Sequence, residues 1–201
     1  KLVWFHGASV GEILSVIPLI EKLEKNKKIK QILITSNTLS SSKIISNLKL
    51  KKTIHQFFPI DTHYHTKKFI NYWDPSIALF IDSEIWPNTI ENIKKKNIPL
   101  LLLNARITKK SFQRWKRLGS SSKNLFQKFD MCLSSSLKSK NYLKSLGAKK
   151  IRYIGNLKFS QTEKNEYLIS DNIKKFLKTK KIWCAASTHT TEESIAALAH
   201  K

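Results

Sequence analysis

Leu2-Val3-Trp4-Phe5-His6-Gly7-Ala8-Ser9-Val10-Gly11-Glu12 opens the chain with an apolar run that stops at a polar turn holding two glycines. An apolar run without polar alternation reads as a strand buried on both faces. The residues after it, Ile13, Leu14, Ile17, Ile20 and Leu23, repeat at helical spacing over Val10–Lys25. Strand, turn and amphipathic helix together form the repeating half-unit of a parallel, helix-covered sheet. The same unit recurs outward along the chain. Strands are expected at Gln31–Ser36, Thr53–Phe58, Ile77–Asp82, Ile98–Asn104, Asp130–Ser134 and Ile151–Ile154. Helices are expected at Leu39–Leu48, Thr66–Trp73, Trp86–Lys96, Lys109–Lys128 and Leu137–Leu146. This is an open α/β sheet of Rossmann type, whose ligands sit outside the carboxyl ends of the strands.

After Ile154 the texture changes. Residues 155–180 are polar, lysine-rich and without a strand, and Lys181–Ala186 followed by a helix near Thr190 reads as the opening of a second α/β unit. The expected division is a Rossmann-like domain over 1–154, an interdomain segment over 155–180, and the start of a further domain over 181–201. The chain thus reads as a fragment, one complete domain and the beginning of another.

Composition narrows the function classes. Of 201 residues 41% are hydrophobic and only 5 are Gly and 5 Pro, which fits a chain with a packed core and excludes collagen-like or linker-dominated sequences. The longest apolar stretches, such as Ile98–Leu103, fall far short of the roughly 20 residues that span a bilayer. No leader is expected at Lys1, and the piece reads as soluble and globular. Cys132 and Cys184 lack CxxC spacing, and two cysteines are too few for a structural zinc site. Both are expected to be small buried thiols in a reducing compartment.

The formal net charge is +23, from 37 basic and 14 acidic residues, and only four of the basic residues (Arg106, Arg114, Arg117, Arg152) are arginines. Such a balance invites nucleic acid, an anionic membrane or a phosphorylated substrate. Base-edge reading favours the arginine fork, so nucleic acid is the weaker of these. Lys, Ile and Asn also share A/T-rich codons, which accounts for part of the lysine load.

The unusual polar residues lie in strand-to-helix loops. Ser9 and Glu12 form an S-x-x-E pattern, which a helix capping box would explain; the loop lacks the G-K-[ST] ending of a phosphate-binding Walker loop. Asp82-Ser83-Glu84-Ile85-Trp86-Pro87-Asn88 puts two carboxylates at the mouth of the sheet, a costly arrangement unless they are hydrogen-bonded or used. Capping of the next helix could explain one of them. If Glu12 and Glu84 approach one another, their titrations couple and one tends to hold a proton at neutral pH. Arg106 ends another strand, where an anionic substrate would lie. Asp61-Thr62-His63-Tyr64-His65 offers alternating Asp, His and His; a polar turn accounts for it better than a metal site, since nothing else completes a ligand set. Ser187 and Thr188, before a helix, could hold a phosphate on backbone N–H groups or simply cap it.

Six blocks in order, HGASVGE (6–12), FPID (58–61), DSEIWPN (82–88), LNARIT (103–108), GNLKF (155–159) and ASTHTTEE (186–193), resemble the 3-deoxy-D-manno-oct-2-ulosonic acid (Kdo) transferases of lipopolysaccharide synthesis. The resemblance implies a GT-B fold, two Rossmann-like domains facing a cleft behind a short N-terminal membrane anchor. This chain matches the acceptor-binding domain and the first elements of the nucleotide-sugar domain, with the anchor and most of the donor domain outside it. It further implies transfer of Kdo from CMP-Kdo to the lipid A precursor (lipid IVA) at the cytoplasmic face of the bacterial inner membrane, with no metal and no cofactor.

By the same resemblance Glu12 is the general base and Glu84 the glutamate that pairs with it. Ser9, Gly11, Thr35, Ser36, Thr38 and Arg106 bind the acceptor, and Lys158, Ser187, Thr188 and His189 help bind the donor. The family commonly carries Glu-Thr-Glu where this chain has Asp82-Ser83-Glu84, and alanine where it has Gly7, so a role for Asp82 does not carry over. The expected partners are CMP-Kdo, the lipid A precursor and an anionic membrane surface, and nucleic acid is not among them. The competing readings are a GT-B glycosyltransferase for a different nucleotide sugar and a basic nucleic-acid-binding module.

Overall fold

The computed structural model describes residues 1–48, 50–160, 170–179, 183–186 and 188–199. The chain divides into two compact units, Lys1–Thr162 and Glu163–Lys201.

In the first unit seven strands form one sheet: β1 (Leu2–His6), β2 (Gln31–Ser36), β3 (Thr53–Phe57), β4 (Ile77–Ile81), β5 (Leu100–Ala105), β6 (Met131–Ser134) and β7 (Ile151–Tyr153). Their order is β3-β2-β1-β4-β5-β6-β7, and every pairing is parallel. Between them run α1 (Val10–Glu24), α2 (Leu39–Asn47), α3 (His63–Trp73), α4 (Pro87–Lys95), α5 (Lys109–Arg117), α6 (Ser120–Phe126) and α7 (Leu137–Ser145).

Side chains alternate across a strand, and here both sides find a core. Val3, Phe5, Ile32, Ile34, Leu79 and Ile81 pack with Ile13, Val16 and Ile20 of α1 and Ile45 of α2. Trp4, Leu33, Ala78, Phe80, Leu100 and Leu102 pack with Ile70 of α3, Ile90 and Ile93 of α4, Phe126 of α6 and Leu143 of α7. The strand order reverses between β1 and β4: α1 leaves β1 toward one face and α4 leaves β4 toward the other. That divergence opens a crevice at the carboxyl ends of the two central strands. The crevice is filled by the β1–α1 loop with Glu12 in the helix turn that follows it, and by the β4–α4 loop that carries Glu84.

Where structure and sequence expectation part, the causes are local. The single helix expected over Lys109–Lys128 is two, because Gly119 sits at φ 53 and separates α5 from α6. α3 starts three residues earlier than expected, where the Thr62 side chain accepts the His65 N–H and caps it. The edge strands β3 and β7 are partly exposed rather than buried on both faces.

In the second unit α8 (Asp171–Lys178) lies within the stretch expected to be an interdomain segment, and α9 (Glu192–Ala199) matches the helix expected near Thr190. Of the strand expected at Lys181–Ala186, residues 183–186 are non-strand, and no strand among the unit's described residues offers them a ladder. Lys181 and Ile182 lie outside the described residues. Cys132 is buried as expected, whereas Cys184 is exposed, with no strand among the unit's described residues to cover it.

Candidate active site at the mouth of the central strands

His6 is the last residue of β1, and the chain leaves it through Gly7, whose N–H donates to Thr35 O at 3.1 Å. A Cβ on Gly7 would stand 3.1 to 3.2 Å from Ile13, Glu12 and Ile81, so the bare glycine lets the first turn of α1 sit close against the end of β4. Ser9 is the N-cap of α1 and its Oγ accepts the Glu12 N–H at 3.3 Å. The Glu12 carboxylate turns back to accept the Ala8 N–H through Oε2 at 2.8 Å. The expected capping box is therefore half formed, since the glutamate reaches the residue before the cap instead of the cap itself.

Across the crevice, Glu84 follows β4. Its Oε2 accepts the Trp86 Nε1–H at 2.7 Å and lies 3.1 Å from His6 Nε2, with the side chain 13% exposed. Neither Asp82 nor Glu84 caps α4. Trp86 is the N-cap, its side chain making no capping bond, and the helix N–H groups of Asn88 and Thr89 are taken by Asp61 at 3.2 and 2.8 Å. Asp61 and its neighbours are thus a polar turn that caps α4, with His65 Nδ1 bonded to Thr62 Oγ1 at 2.8 Å.

Asp82 takes a left-handed backbone, φ 61, and is 7% exposed. Its Oδ1 has no hydrogen-bond partner among the described residues. Burial pushes its carboxyl upward, against the opposing charges of Arg106 and Lys158, and the charge of Glu84 adds to the rise. Glu12 is raised too, first by burial and then by the charge of Glu84, with Asp82 adding and the bonds from Ala8 and Ser9 opposing. Three carboxylates therefore gather at the switch point and two of them are raised from their ordinary values, a pattern typical of acid–base sites.

The cations are also placed by backbone irregularities. Asn104, at φ 51 where the β5–β6 register shifts, accepts the Leu157 N–H through Oδ1 at 3.0 Å. That latch holds the 3-10 turn Leu157–Ser160, and Lys158 Nζ lies 3.6 Å from where a Cβ on Gly11 would stand. Arg106 is exposed just past β5, its N–H donating to Asp82 O at 3.1 Å.

Of the other residues expected in the site, Thr35 and Ser36 are fully buried. Thr35 Oγ1 accepts Trp4 Nε1–H at 2.9 Å and contacts His6 Nδ1 at 3.0 Å, while Ser36 Oγ contacts His55 Nε2 at 2.9 Å. Thr35 braces the site from beneath through His6, whereas the Ser36 side chain is turned to His55. Thr38 is exposed and caps α2. Thr188 and His189 belong to the second unit, where Thr188 Oγ1 bonds Glu193 at 3.3 Å and His189 N–H bonds Glu192 at 2.9 Å, as helix capping would have it. Ser187 lies outside the described residues.

Sequence reading missed His6. A histidine closing an apolar strand reads as core, and its stacking on Phe58 at 3.7 Å shows no trace in local sequence.

The 3-deoxy-D-manno-octulosonic-acid transferase (kdotransferase) family matches residues 1–161, which contain every element of the crevice. The 3-deoxy-D-manno-octulosonic acid transferase of Rickettsia bellii is 36% identical over 96% of this chain, and that of Rickettsia prowazekii is 36% identical over 97%. The chain spans 46% and 42% of those relatives, about half their length. Among solved structures, a UDP-N-acetylglucosamine 2-epimerase from Listeria monocytogenes superposes with a TM-score of 0.60 at 15% identity, covering 83% of this chain and 49% of that one, a likeness of fold alone. Family match, close relatives and the doubly wound sheet agree: this chain belongs to the 3-deoxy-D-manno-octulosonic-acid transferase family.

Proposed function

We propose that this chain is the acceptor-side part of a GT-B glycosyltransferase that moves Kdo from CMP-Kdo to the lipid A precursor (lipid IVA), without a metal and with inversion. The observation that carries the reading is Glu12: a half-buried carboxylate at the switch point, raised above its ordinary value and standing beside Glu84. Glu12 accepts the proton of the acceptor hydroxyl as its oxygen bonds to the anomeric carbon of Kdo. The bond from that carbon to the phosphate oxygen breaks, and CMP leaves with the electron pair. A base whose proton affinity is lifted toward neutrality serves this step well, and such catalysis contributes about 10²–10⁴ in rate.

Arg106, Ser9, Gly11 and Thr38 face the acceptor in this proposal, with Thr35 supporting them from below. Lys158 serves the donor, together with Ser187, Thr188 and His189. The proposed division is an acceptor domain over 1–154, a connecting segment over 155–180, and the opening of the nucleotide-sugar domain from 181.

The acceptor lies in an anionic leaflet, at the cytoplasmic face of the inner membrane. Leu39, Phe57, Ile60 and Tyr64, all at least 50% exposed, follow β2 and β3 on the mouth side of the sheet and support a membrane-facing surface there. Lysines near such a surface contribute roughly 1 kcal/mol each. Among the described residues no helix is long and apolar enough to cross a membrane.

The test is transfer by the full-length protein to lipid IVA, with CMP-Kdo and UDP-N-acetylglucosamine offered in separate reactions and products read by mass. Kdo addition from CMP-Kdo alone is expected. A folded protein that adds no Kdo, or that uses the UDP-sugar instead, overturns the proposal.

A further inference from the structure

The ring of His6 is fully buried and ties two elements together. On one side Nδ1 lies 3.0 Å from Thr35 Oγ1 and 3.2 Å from Thr35 O; on the other Nε2 lies 3.1 Å from Glu84 Oε2. Its faces are closed by Phe58, stacked at 3.7 Å, and by the edges of Phe80 and Trp86 at 5.2 and 6.2 Å. No water-filled space is needed to satisfy it.

The hydrogen-bond inventory limits where the protons can be. Thr35 Oγ1 already accepts from Trp4 Nε1–H at 2.9 Å, so its own proton goes either to His6 Nδ1 at 3.0 Å or to Phe5 O at 3.3 Å. With Thr35 donating to Nδ1, the histidine proton sits on Nε2 and points at Glu84 Oε2. That oxygen then receives two N–H groups, from His6 and from Trp86 at 2.7 Å, which fix the carboxylate in place. In the alternative arrangement Nδ1–H donates to Thr35 O, Nε2 becomes an acceptor, and Glu84 must carry a proton to meet it. The two arrangements differ by one proton, and that proton resides on Glu84. A doubly protonated ring is disfavoured by burial, which lowers the histidine despite Glu84.

We infer that His6 is a positioning residue for the transfer step: its Nε2–H bond to Glu84 Oε2 holds the Glu84 carboxylate where its charge acts on the base Glu12. The inference rests on the transfer reading above. His6 touches no reacting atom and acts through Glu84. The titratable groups that bear on the pair are Glu84 against His6, then Glu12 and Asp82 around Glu84, with Arg106 and Lys158 countering Asp82; Thr35, Phe58, Phe80 and Trp86, which close the rest of the ring, carry no charge. Loss of the Nε2–H releases the Glu84 carboxylate from that place, weakens the action of its charge on Glu12, which that charge raises, and leaves Glu12 a poorer base.

Two substitutions separate this role from packing. The amide of His6→Gln reaches the place of Nε2 and can still donate to Glu84, whereas the shorter His6→Asn reaches only the place of Nδ1. In the full-length protein, His6→Asn is expected to lose on the order of tenfold in kcat with KM nearly unchanged, and to move the acid limb of the pH–rate profile to lower pH. His6→Gln is expected to recover most of the rate and keep the limb in place. Equal losses in both variants with an unmoved limb would reduce His6 to packing and overturn the inference, as would wild-type behaviour in both.

A readout independent of activity is the ¹³C-detected titration of the Glu12 carboxyl. Its midpoint falls in His6→Asn and holds in His6→Gln if the inference is right; a midpoint unmoved in both contradicts it. Should the wild-type protein transfer no Kdo, the proposed function fails and this titration alone decides the role of His6. Should His6→Asn not fold, Trp86→Phe removes the other N–H from the same oxygen and must lower the Glu12 midpoint in the same direction, or the inference falls.

Discussion

Asp61→Ala tests whether the FPID block is built for folding or for chemistry. The α4 helix begins at Pro87 with Trp86 as an N-cap whose side chain does not cap the helix, so its first N–H groups need acceptors from elsewhere. Asp61, 27 residues upstream of Asn88, supplies them: Oδ2 accepts Asn88 N–H at 3.2 Å and Oδ1 accepts Thr89 N–H at 2.8 Å. Oδ1 also takes the Thr89 hydroxyl at 2.7 Å, and Thr89 is fully buried.

Removing the carboxylate costs about 1 kcal/mol for the cap. It costs a further 1–2 kcal/mol or so for a buried hydroxyl left without its acceptor. The bond from Asn88 Nδ2 to the Asp61 backbone carbonyl at 2.8 Å survives the substitution and holds the loop in place. The expected loss is therefore about 2–3 kcal/mol. Asp61→Asn keeps one acceptor oxygen and loses the charge at the helix N-terminus, and should cost about 1 kcal/mol. Urea unfolding followed by tryptophan fluorescence and far-ultraviolet circular dichroism measures both. A loss under about 0.5 kcal/mol for Asp61→Ala, or equal losses for the two variants, would refute the capping account.

Other consequences concern titration and reactivity. Glu12 is raised on folding, so between its unfolded value near 4.5 and its folded value the native state binds more protons than the unfolded chain, and stability falls as pH rises through that window. Glu12→Gln should accordingly be more stable than wild type at pH 7, with the difference vanishing below about pH 4; equal stability at pH 7 contradicts the raised carboxyl. Glu24 has the opposite sign. Hydrogen bonds from Thr53, Lys52 and Lys51 outweigh burial and hold it below its ordinary value, so its contribution is present above about pH 4.5 and is lost as pH falls through the folded value. Glu24→Ala should weaken the protein at pH 7 by up to about 1 kcal/mol in urea titration, the solvent around this open carboxyl screening the rest, and much less at pH 3. Burial pushes the Cys132 thiol up to about 12 while Cys184 is exposed, so a thiol reagent at pH 8 should modify one cysteine rapidly in the native protein; two fast thiols would contradict the burial.

The sheet could be read from sequence because its central strands are largely apolar: Leu2–His6 and Gln31–Ser36 match residue for residue. The break at Gly119 escaped because the apolar residues on either side, Phe112 and Trp115 before it and Leu125 and Phe126 after it, keep helical spacing across the glycine. In the crevice, Glu12, Glu84 and Arg106 could be singled out as charges at strand ends, where charge is costly without a reason. The depth of Thr35 and Ser36 could not be read, because a hydroxyl at the end of a strand looks the same in sequence whether it faces solvent or braces a histidine. His6 was hidden for a related reason. Its meaning lies in Thr35 and Glu84, 29 and 78 residues away, which only the parallel order β2-β1-β4 brings to its two nitrogens.

The account rests most heavily on Glu12 as the base. The direct measurement is Kdo transfer from CMP-Kdo to lipid IVA by the full-length protein and by its Glu12→Ala variant, with the fold of the variant checked by circular dichroism. The account predicts a fall of about 10²-fold or more in kcat with acceptor KM little changed. Transfer within a few-fold of wild type in the folded variant would contradict it and leave Glu12 to its bond with Ala8 alone.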